Sequence, residues 1–579
     1  MTVQPLLSVK NLCVRFDRTA VPAVDSISFD VRAGECLAIV GESGSGKSLT
    51  ARSLLGLEPP NAHVSFDAVT LRGEPLPATR SWRWRAIRGA SIGLVLQDAL
   101  VSLDPLRPVG REIDDVLRLH TTLTHAQRHR RVLELLDAVG VPDPALRAQQ
   151  RSGELSGGLR QRALIATALA AGPPLIIADE PTTALDVTVQ AKVLTLLRSL
   201  TDSGTALILI THDLAVVSRV ADRVAVMSRG HIVESGETAA VLNAPSAVET
   251  QQLLASIPVD VPRGVPLLSN AIRRLALRPH APVDDRAMES SAGALTSAPR
   301  LTPALQLTPA LQLRAVSRQF PTRAGEPIQA LDRVSFTLDT GTTLGLVGQS
   351  GSGKTTIARI ALGLETADRG QILLNGTEWG SLNARERRPL RHTLGAIYQD
   401  PLSSFDPRLS VERILIDALS ATASTAGNTN QLSCVDELLD AVDLPRNLKN
   451  RRPLHLSGGQ RQRVAIARAL APAPRTLLCD EPVSALDVST QARVLDLLDD
   501  LQRHLGLSYL FISHDLGVIR HMSDTVAVIN DGRIVETGPT DEIFTTPKDP
   551  YTRSLIAALP RIHRSGPVSA ARASAPPVE

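Results

Sequence analysis

The sequence predicts an α/β protein built from two copies of one parallel-sheet domain, and three observations carry that expectation. Four motifs recur in one order about 300 residues apart, a period that belongs to duplicated domains and not to solenoid units. Each copy alternates short apolar runs with helical patterns. Between the copies the texture changes to prolines and small residues.

The repeat is literal. GESGSGKS (Gly41–Ser48) returns as GQSGSGKT (Gly348–Thr355), and LSGGLRQR (Leu155–Arg162) as LSGGQRQR (Leu456–Arg463). ADEPTTALD (Ala178–Asp186) returns as CDEPVSALD (Cys479–Asp487), and THDL (Thr211–Leu214) as SHDL (Ser513–Leu516). Buried strands are expected at Cys36–Val40, Leu175–Ala178 and Ala206–Ile210, and again at Leu344–Val347, Thr476–Cys479 and Tyr509–Ile512. Helical patterns separate them, as after Lys47 and between Asp186 and Leu200. Such alternation implies a parallel sheet covered on both faces. The domains are placed at 1–258 and 314–564. A linker at 259–313 carries LTPALQ twice in succession, and a disordered tail is expected at 565–579.

Composition narrows the class. Of 579 residues 43% are hydrophobic and 21% charged, which suits a globular chain, and a net charge of +3 gives no support to a broad nucleic-acid surface. Only six of the 62 basic residues are lysines, and two of those six stand in the glycine-rich loops. Cys13, Cys36, Cys434 and Cys479 form no CxxC or Cys/His spacing, so neither a disulfide scaffold nor a zinc site is expected. Residues 1–20 lack a signal-peptide layout. The longest apolar candidate, Ala163–Ala178, is broken by Thr167, Gly172, Pro173 and Pro174. The expectation is a soluble chain whose role at a membrane comes through partners.

The chemistry follows from the motifs. In GxxxxGK[ST] the glycines let the backbone wrap phosphates, so Gly41, Ser43, Gly44, Ser45 and Gly46 form one cradle and Gly348, Ser350, Gly351, Ser352 and Gly353 the other. Lys47 and Lys354 reach the β- and γ-phosphates, and Ser48 and Thr355 hold Mg²⁺. Each loop follows an apolar strand and opens a helix, which a plain glycine turn need not do. Two strands end in Asp179-Glu180 and Asp480-Glu481. The aspartates suit Mg²⁺, and Glu180 and Glu481 are candidate bases for the water that attacks the γ-phosphate. An isolated acid pair would read as a solvated strand end; the neighbouring motifs decide against that.

LSGG ahead of an arginine-bearing helix resembles the signature of the ATP-binding-cassette family, and the resemblance covers nearly all of both halves. It implies two tandem nucleotide-binding domains, each a phosphate-loop parallel-sheet core with a helical subdomain, using ATP and Mg²⁺. It also implies head-to-tail pairing. Ser457 and Gly459 would cap ATP at Lys47, and Ser156 and Gly158 would cap ATP at Lys354. Gln97 in LVLQD and Gln399 in AIYQD resemble the glutamines that touch Mg²⁺ or water. His212 and His514 resemble the switch histidines at the γ-phosphate, and Asp186 and Asp487 resemble residues of the dimer seam. Phe16 and Phe320 are weaker candidates for stacking on adenine, since either suits the core of a first strand equally. The sequence departs from itself at Leu159 against Gln460 and in QDALVSLDP against QDPLSSFDP. Neither change removes a chemical group, so two competent sites are expected.

QDPLSSFDP and DPYTRSLIAALP (Asp549–Pro560) resemble the oligopeptide/dipeptide importer branch, whereas SAVETQQLLASIP (Ser246–Pro258) lacks the Pro-Tyr pair. The branch implies a chain at the cytoplasmic face of the membrane. Its partners would be two permease subunits and a substrate-binding protein, and it would have no nucleic-acid partner. Nickel, glutathione and glycosides stay open as cargo beside peptides. Val241–Leu313 holds no cysteine, so the iron–sulfur cluster of some relatives is not expected. A ribosome-acting tandem cassette would carry a charged helical arm where this linker is proline-interrupted. A DNA-repair cassette would need zinc-module cysteines.

Overall fold

The structure is a computed structural model describing residues 4–17, 19, 21–78, 81–96, 102–182, 187–259, 261–268, 308–321, 327–349, 351–420 and 428–559. Gln97, Asp186, Ser350, most of the predicted linker and the predicted tail lie outside the described residues. Two compact units divide the chain, one over Met1–Ala255 and the other over Ser256–Leu486 with Thr490–Ala557.

The strands of the first unit are β1 (Leu7–Phe16), β2 (Val24–Val31), β3 (Cys36–Val40), β4 (Ala62–Ser65), β5 (Ala68–Leu71), β6 (Glu74–Pro75), β7 (Ile92–Val95), β8 (Leu175–Asp179), β9 (Ala206–Ile210), β10 (Arg223–Ser228) and β11 (His231–Glu237). Six form a sheet in the order β11-β10-β3-β9-β8-β7, parallel except for the β10–β11 edge. β3, β8 and β9 are buried along their whole length, which explains their unbroken apolar runs. The other five strands make an antiparallel sheet, β2-β1-β5-β6 with β4 also on β1. The sequence reading anticipated only the parallel sheet. β2 buries alternate residues, so its pattern reads as half-buried and does not announce a second layer.

The second unit repeats this with β12 (Leu311–Phe320), β13 (Ile328–Leu338), β14 (Thr343–Val347), β15 (Arg369–Leu374), β16 (Thr377–Glu378), β17 (Leu394–Ile397), β18 (Thr476–Asp480), β19 (Ser508–Ile512), β20 (Thr525–Asn530) and β21 (Arg533–Pro539). The mixed sheet runs β17-β18-β19-β14-β20-β21, and the antiparallel one β13-β12-β15-β16. β12 starts before residue 314 because Leu311 and Leu313 alternate into the core, at 0% and 1% exposure.

Between β7 and β8 the chain inserts helices Val109–His120, His125–Ala138 and Gly157–Leu169, and between β17 and β18 helices Val411–Ser420, Asn428–Ala441 and Gly458–Leu470. In the first unit Ile113, Leu117, Leu136 and Ile165 join Ala178 and Leu209 of the sheet in one apolar cluster. That contact ties the helical layer to the strand that ends in Asp179.

Residues 259 and 261–268, expected to open a flexible linker, pack on the second unit. Arg263 pairs with Asp524 at 2.5 Å and donates to Gln502 Oε1 at 2.7 Å. The amides of Leu267 and Leu268 donate to the Asp496 carboxylate at 2.8 and 2.9 Å, and Leu267 is buried. Proline-interrupted sequence conceals such a strap, because its anchors are backbone amides and one arginine and not an apolar period. Among the described residues no helix is long and apolar enough to cross a membrane.

Candidate functional site

From β3 the chain turns through Gly41–Gly46 into helix Lys47–Ser53, and from β14 through Gly348–Gly353 into helix Lys354–Ala361. A Cβ on Gly41 would lie 2.1 Å from Met227 O, and one on Gly348 2.2 Å from Ile529 O, so only glycine fits where the loop leaves the strand. Gly44 and Gly351, at φ +80° and +82°, face open space on the other side. Lys47 is buried and its Nζ donates to Gly41 O and Glu42 O, both at 2.7 Å. Lys354 does the same to Gly348 O and Gln349 O, again at 2.7 Å. Burial lowers the Lys47 pKa against the opposing pull of Glu180 and Asp179. Ser45 and Ser352 are buried inside the loops, and Ser352 Oγ has no hydrogen-bond partner among the described residues. Each loop thus folds around a buried lysine and a buried serine.

β8 and β18 bring the acids there. Ser48 Oγ donates to Asp179 Oδ1 at 3.0 Å, and Thr355 stands exposed at the matching position. Burial raises the Asp179 pKa, with Glu180 adding and Ser48 opposing. Burial, with Glu481 beside it, pushes Asp480 up to about 6. Glu180 and Glu481 both adopt the left-handed conformation, φ +49°, which costs a non-glycine residue about 1–2 kcal/mol. Their N–H groups are fixed on Ile210 O and Ile512 O, each at 2.9 Å. That turn swings the glutamate side chains out of strand alternation and toward the histidines.

His212 Nδ1 lies 3.0 Å from Glu180 Oε1, and His514 Nδ1 3.1 Å from Glu481 Oε1. Burial alone would lower each imidazole's pKa, but the hydrogen bond and charge of the glutamate outweigh it and the pKa is raised. For Glu481 burial acts upward, and the His514 hydrogen bond with the charges of His514 and Lys354 brings the net shift downward. It is therefore an ionised carboxylate near neutral pH. Gln399 Nε2 donates to its other oxygen at 2.8 Å.

Two functional residues escaped the sequence reading. Asp213 caps helix Leu214–Val220, accepting from Ala215 N and Val216 N at 2.8 and 3.2 Å, and Asp515 caps helix Leu516–Met522 from Gly517 N and Val518 N at 2.8 and 3.3 Å. An aspartate directly after each histidine, ahead of an apolar run, was the available signal. The caps fix the backbone that carries His212 and His514.

Ser156 and Ser457 begin the helices Gly157–Leu169 and Gly458–Leu470, accepting from Leu159 N at 3.4 Å and from Gln460 N at 3.3 Å. Gln460 also accepts from Ser457 N at 3.0 Å, a reciprocal cap that Leu159 denies the first unit. A Cβ on Gly459 would meet Thr490 Cγ2 at 2.4 Å, and Gly158 occupies the corresponding first turn. Among the described residues no hydrogen bond joins either signature serine to the phosphate loop of its own unit. Asp487 accepts from Ser489 Oγ at 3.0 Å. Phe16 and Phe320 end β1 and β12, each half-buried, and the Arg318 guanidinium lies 5.0 Å from the Phe320 ring centroid.

A family model described as ABC transporter matches residues 24–183 and 331–484, spanning both phosphate loops, both signatures and both acid pairs. The chain belongs to the ABC transporter family. A second model, the C-terminal region of oligopeptide/dipeptide transporters, matches residues 535–578. The chain is 41% identical over 571 residues to the peptidoglycan transport ATP-binding protein YejF of Agrobacterium fabrum, with 96% of each chain covered. It is 39% identical to the glutathione import ATP-binding protein GsiA of Salmonella paratyphi A, over 96% of this chain and 89% of that one. It is also 39% identical to the oligopeptide transport ATP-binding protein OppD of Mycobacterium bovis, over 96% and 99%. As an ABC transporter ATPase, the chain binds and hydrolyses ATP to energise transport through membrane-embedded partners.

Proposed function

We propose that this ABC ATPase drives import of peptides, working at the cytoplasmic face of the membrane with two permease subunits and a substrate-binding protein. The observation that carries the cargo class is the match of residues 535–578 to the oligopeptide/dipeptide C-terminal region. Its support is chemical: the cargoes named for the three relatives all contain peptide-bonded units. Glutathione keeps a place as a second cargo through the GsiA likeness.

In each half the lysine neutralises the β- and γ-phosphates as the glycine loop donates its N–H groups. Glu180 or Glu481, held by its histidine, takes a proton from the attacking water, and the histidine stands beside the γ-phosphate. Asp179 with Ser48, and Asp480 with Thr355, offer hard oxygen donors to Mg²⁺. Among the described residues there is no group of three or more His, Cys, Asp or Glu that could hold a metal ion. Bound to those oxygen donors, Mg²⁺ would offset charge on the β- and γ-oxygens. Gln97 and Gln399 are assigned to its water shell.

The halves pair head to tail, with Ser457 and Gly459 over the Lys47 site and Ser156 and Gly158 over the Lys354 site. That pairing is supported by the signature serines standing at the N-termini of helices Gly157–Leu169 and Gly458–Leu470, whose first N–H groups suit an anionic phosphate. The deciding experiment reconstitutes the chain with its permeases and binding protein in vesicles and measures ATP-dependent uptake of labelled di- and oligopeptides against glutathione, a glycoside and Ni²⁺. Uptake of Ni²⁺ or the glycoside alone would sink the peptide reading.

A further inference from the structure

The helix Pro550–Ala557 lies outside the catalytic motifs, yet its tyrosine touches one of them. The Tyr551 hydroxyl accepts a hydrogen bond from the backbone N–H of Gln349 at 3.0 Å. That N–H belongs to the peptide unit whose carbonyl, Gly348 O, accepts from Lys354 Nζ at 2.7 Å. A peptide unit is planar, so a partner at its N–H end fixes the direction of its C=O end. We propose that Tyr551 is a positioning residue of the second ATP site: it sets the peptide plane on which the phosphate-binding lysine is anchored.

The helix is itself held in place. Lys548 N and Asp549 N donate to the two oxygens of Glu536 on β21 at 2.8 and 3.1 Å, Asp549 Oδ1 accepts from Tyr551 N at 2.8 Å, and Thr552 is 1% exposed. In the first half Ser246 N and Ala247 N donate to Glu234 in the same way, and Thr250 is buried as Thr552 is. The position matching Tyr551 is therefore Glu249, an exposed carboxylate, and the loop residue matching Gln349 is Glu42, also exposed. An acid pair there supplies no neutral hydroxyl for the loop amide. The two sites share their chemical groups but differ in what holds the loop, so they should differ in affinity for ATP.

The inference rests on ATP binding at Lys354, which the wild-type control tests separately. Full-length protein is photolabelled with an azido-ATP over a concentration series, then cut at an engineered protease site near Ser290 so that each half is read alone. Tyr551→Phe removes one oxygen and should raise the half-saturating concentration of the second half about three- to tenfold, leaving the first half unchanged. Glu249→Gln, the control at the matching position, should shift neither. Amide exchange of the peptide covering residues 344–355, without nucleotide, should quicken in Tyr551→Phe and not in Glu249→Gln. Equal shifts in both halves, or an unchanged second half, overturn the proposal. If Tyr551→Phe proves less stable, the exchange of the loop relative to β19 decides, and a loop that quickens no more than the strand overturns it as well. Labelling of neither wild-type half would remove the ATP sites and the proposal with them.

Discussion

Glu481 Oε2 accepts from Gln399 Nε2 at 2.8 Å while its Oε1 faces His514 Nδ1 at 3.1 Å. The three side chains follow the ends of adjacent parallel strands: β18 leads to Glu481, β17 to Gln399 and β19 to His514. Parallel strands put all their carboxyl ends on one edge, so neighbours in the sheet become neighbours in the site. Both oxygens of the Glu481 carboxylate are thus oriented by side chains from neighbouring strands.

Glutamine keeps the shape of Glu180 and Glu481, the proposed bases, and removes their proton affinity. Glu180→Gln combined with Glu481→Gln should lower ATP turnover by about 10²- to 10⁴-fold and leave ATP binding in place. Lys47→Ala and Lys354→Ala should instead weaken binding, each losing a charge-assisted phosphate contact. Steady-state hydrolysis and equilibrium nucleotide binding on the same preparations separate the two classes. A double glutamine variant that turns over at the wild-type rate would refute the base assignment.

If each ATP is capped by the other half, Ser457→Arg should impair closure at the Lys47 site and leave the Lys354 site loaded. Crosslinking of bound nucleotide to each half reads this directly. Loss at the Lys354 site would mean that each half closes on its own signature.

Glu234 gives a pH prediction. Burial would raise its pKa, but hydrogen bonds from the backbone and hydroxyl of Ser246 and from Ala247 N hold it at about 2, below the 4.5 of an ordinary glutamate. A depressed carboxylate stabilises the fold above 4.5 and loses that contribution as pH falls toward 2. Glu234→Gln should therefore quicken amide exchange in helix Val248–Ala255 at pH 7, with the difference from wild type shrinking below pH 4.5 and lost only below pH 2. A difference undiminished between pH 7 and the lowest pH at which the fold persists would assign the effect to packing.

The buried parallel strands and the motif loops were legible because unbroken apolar runs and fixed spacings report local physics. Cys36–Val40 and Ala206–Ile210 appear as strands with the bounds read from sequence. The antiparallel sheet was not legible, because β1 and β2 alternate like any half-buried segment and their partners are set by tertiary contacts. In the site, lysines, acids and histidines were readable as types at spacings, whereas the left-handed backbone of Glu180 and Glu481 was not. No residue preference announces it, since a glutamate there is strained and is held by the hydrogen bond its backbone N–H donates to the next strand.

The segment between the units divides into two parts with different expected roles. Residues 259 and 261–268 are anchored: Arg263 is paired with Asp524 and bonded to Gln502, and Asp496 takes two backbone amides. The anchor lies against the helix that follows His514, for Val261 O is 3.1 Å from His521 Nδ1 and a Cβ on Gly517 would meet Val259 Cγ2 at 2.7 Å. Arg263→Ala leaves the Asp524 carboxylate without that guanidinium, and with both groups partly exposed the cost should be about 1 kcal/mol. For a unit of this size that lowers the melting temperature by about 2–4 °C. The LTPALQ-bearing stretch should behave differently. Most of it lies outside the described residues, and closure entropy depends only logarithmically on length. Deleting one LTPALQ copy should therefore leave ATPase activity unchanged. Cutting near Ser290 should slow hydrolysis by dilute free protein, which loses an effective concentration of order millimolar, and spare transport where permeases hold both halves. Transport by vesicles before and after cleavage, with both halves still bound, is the measurement. Complete loss would show that the stretch transmits force or a signal, and the anchored residues 261–268 would then be its point of attachment.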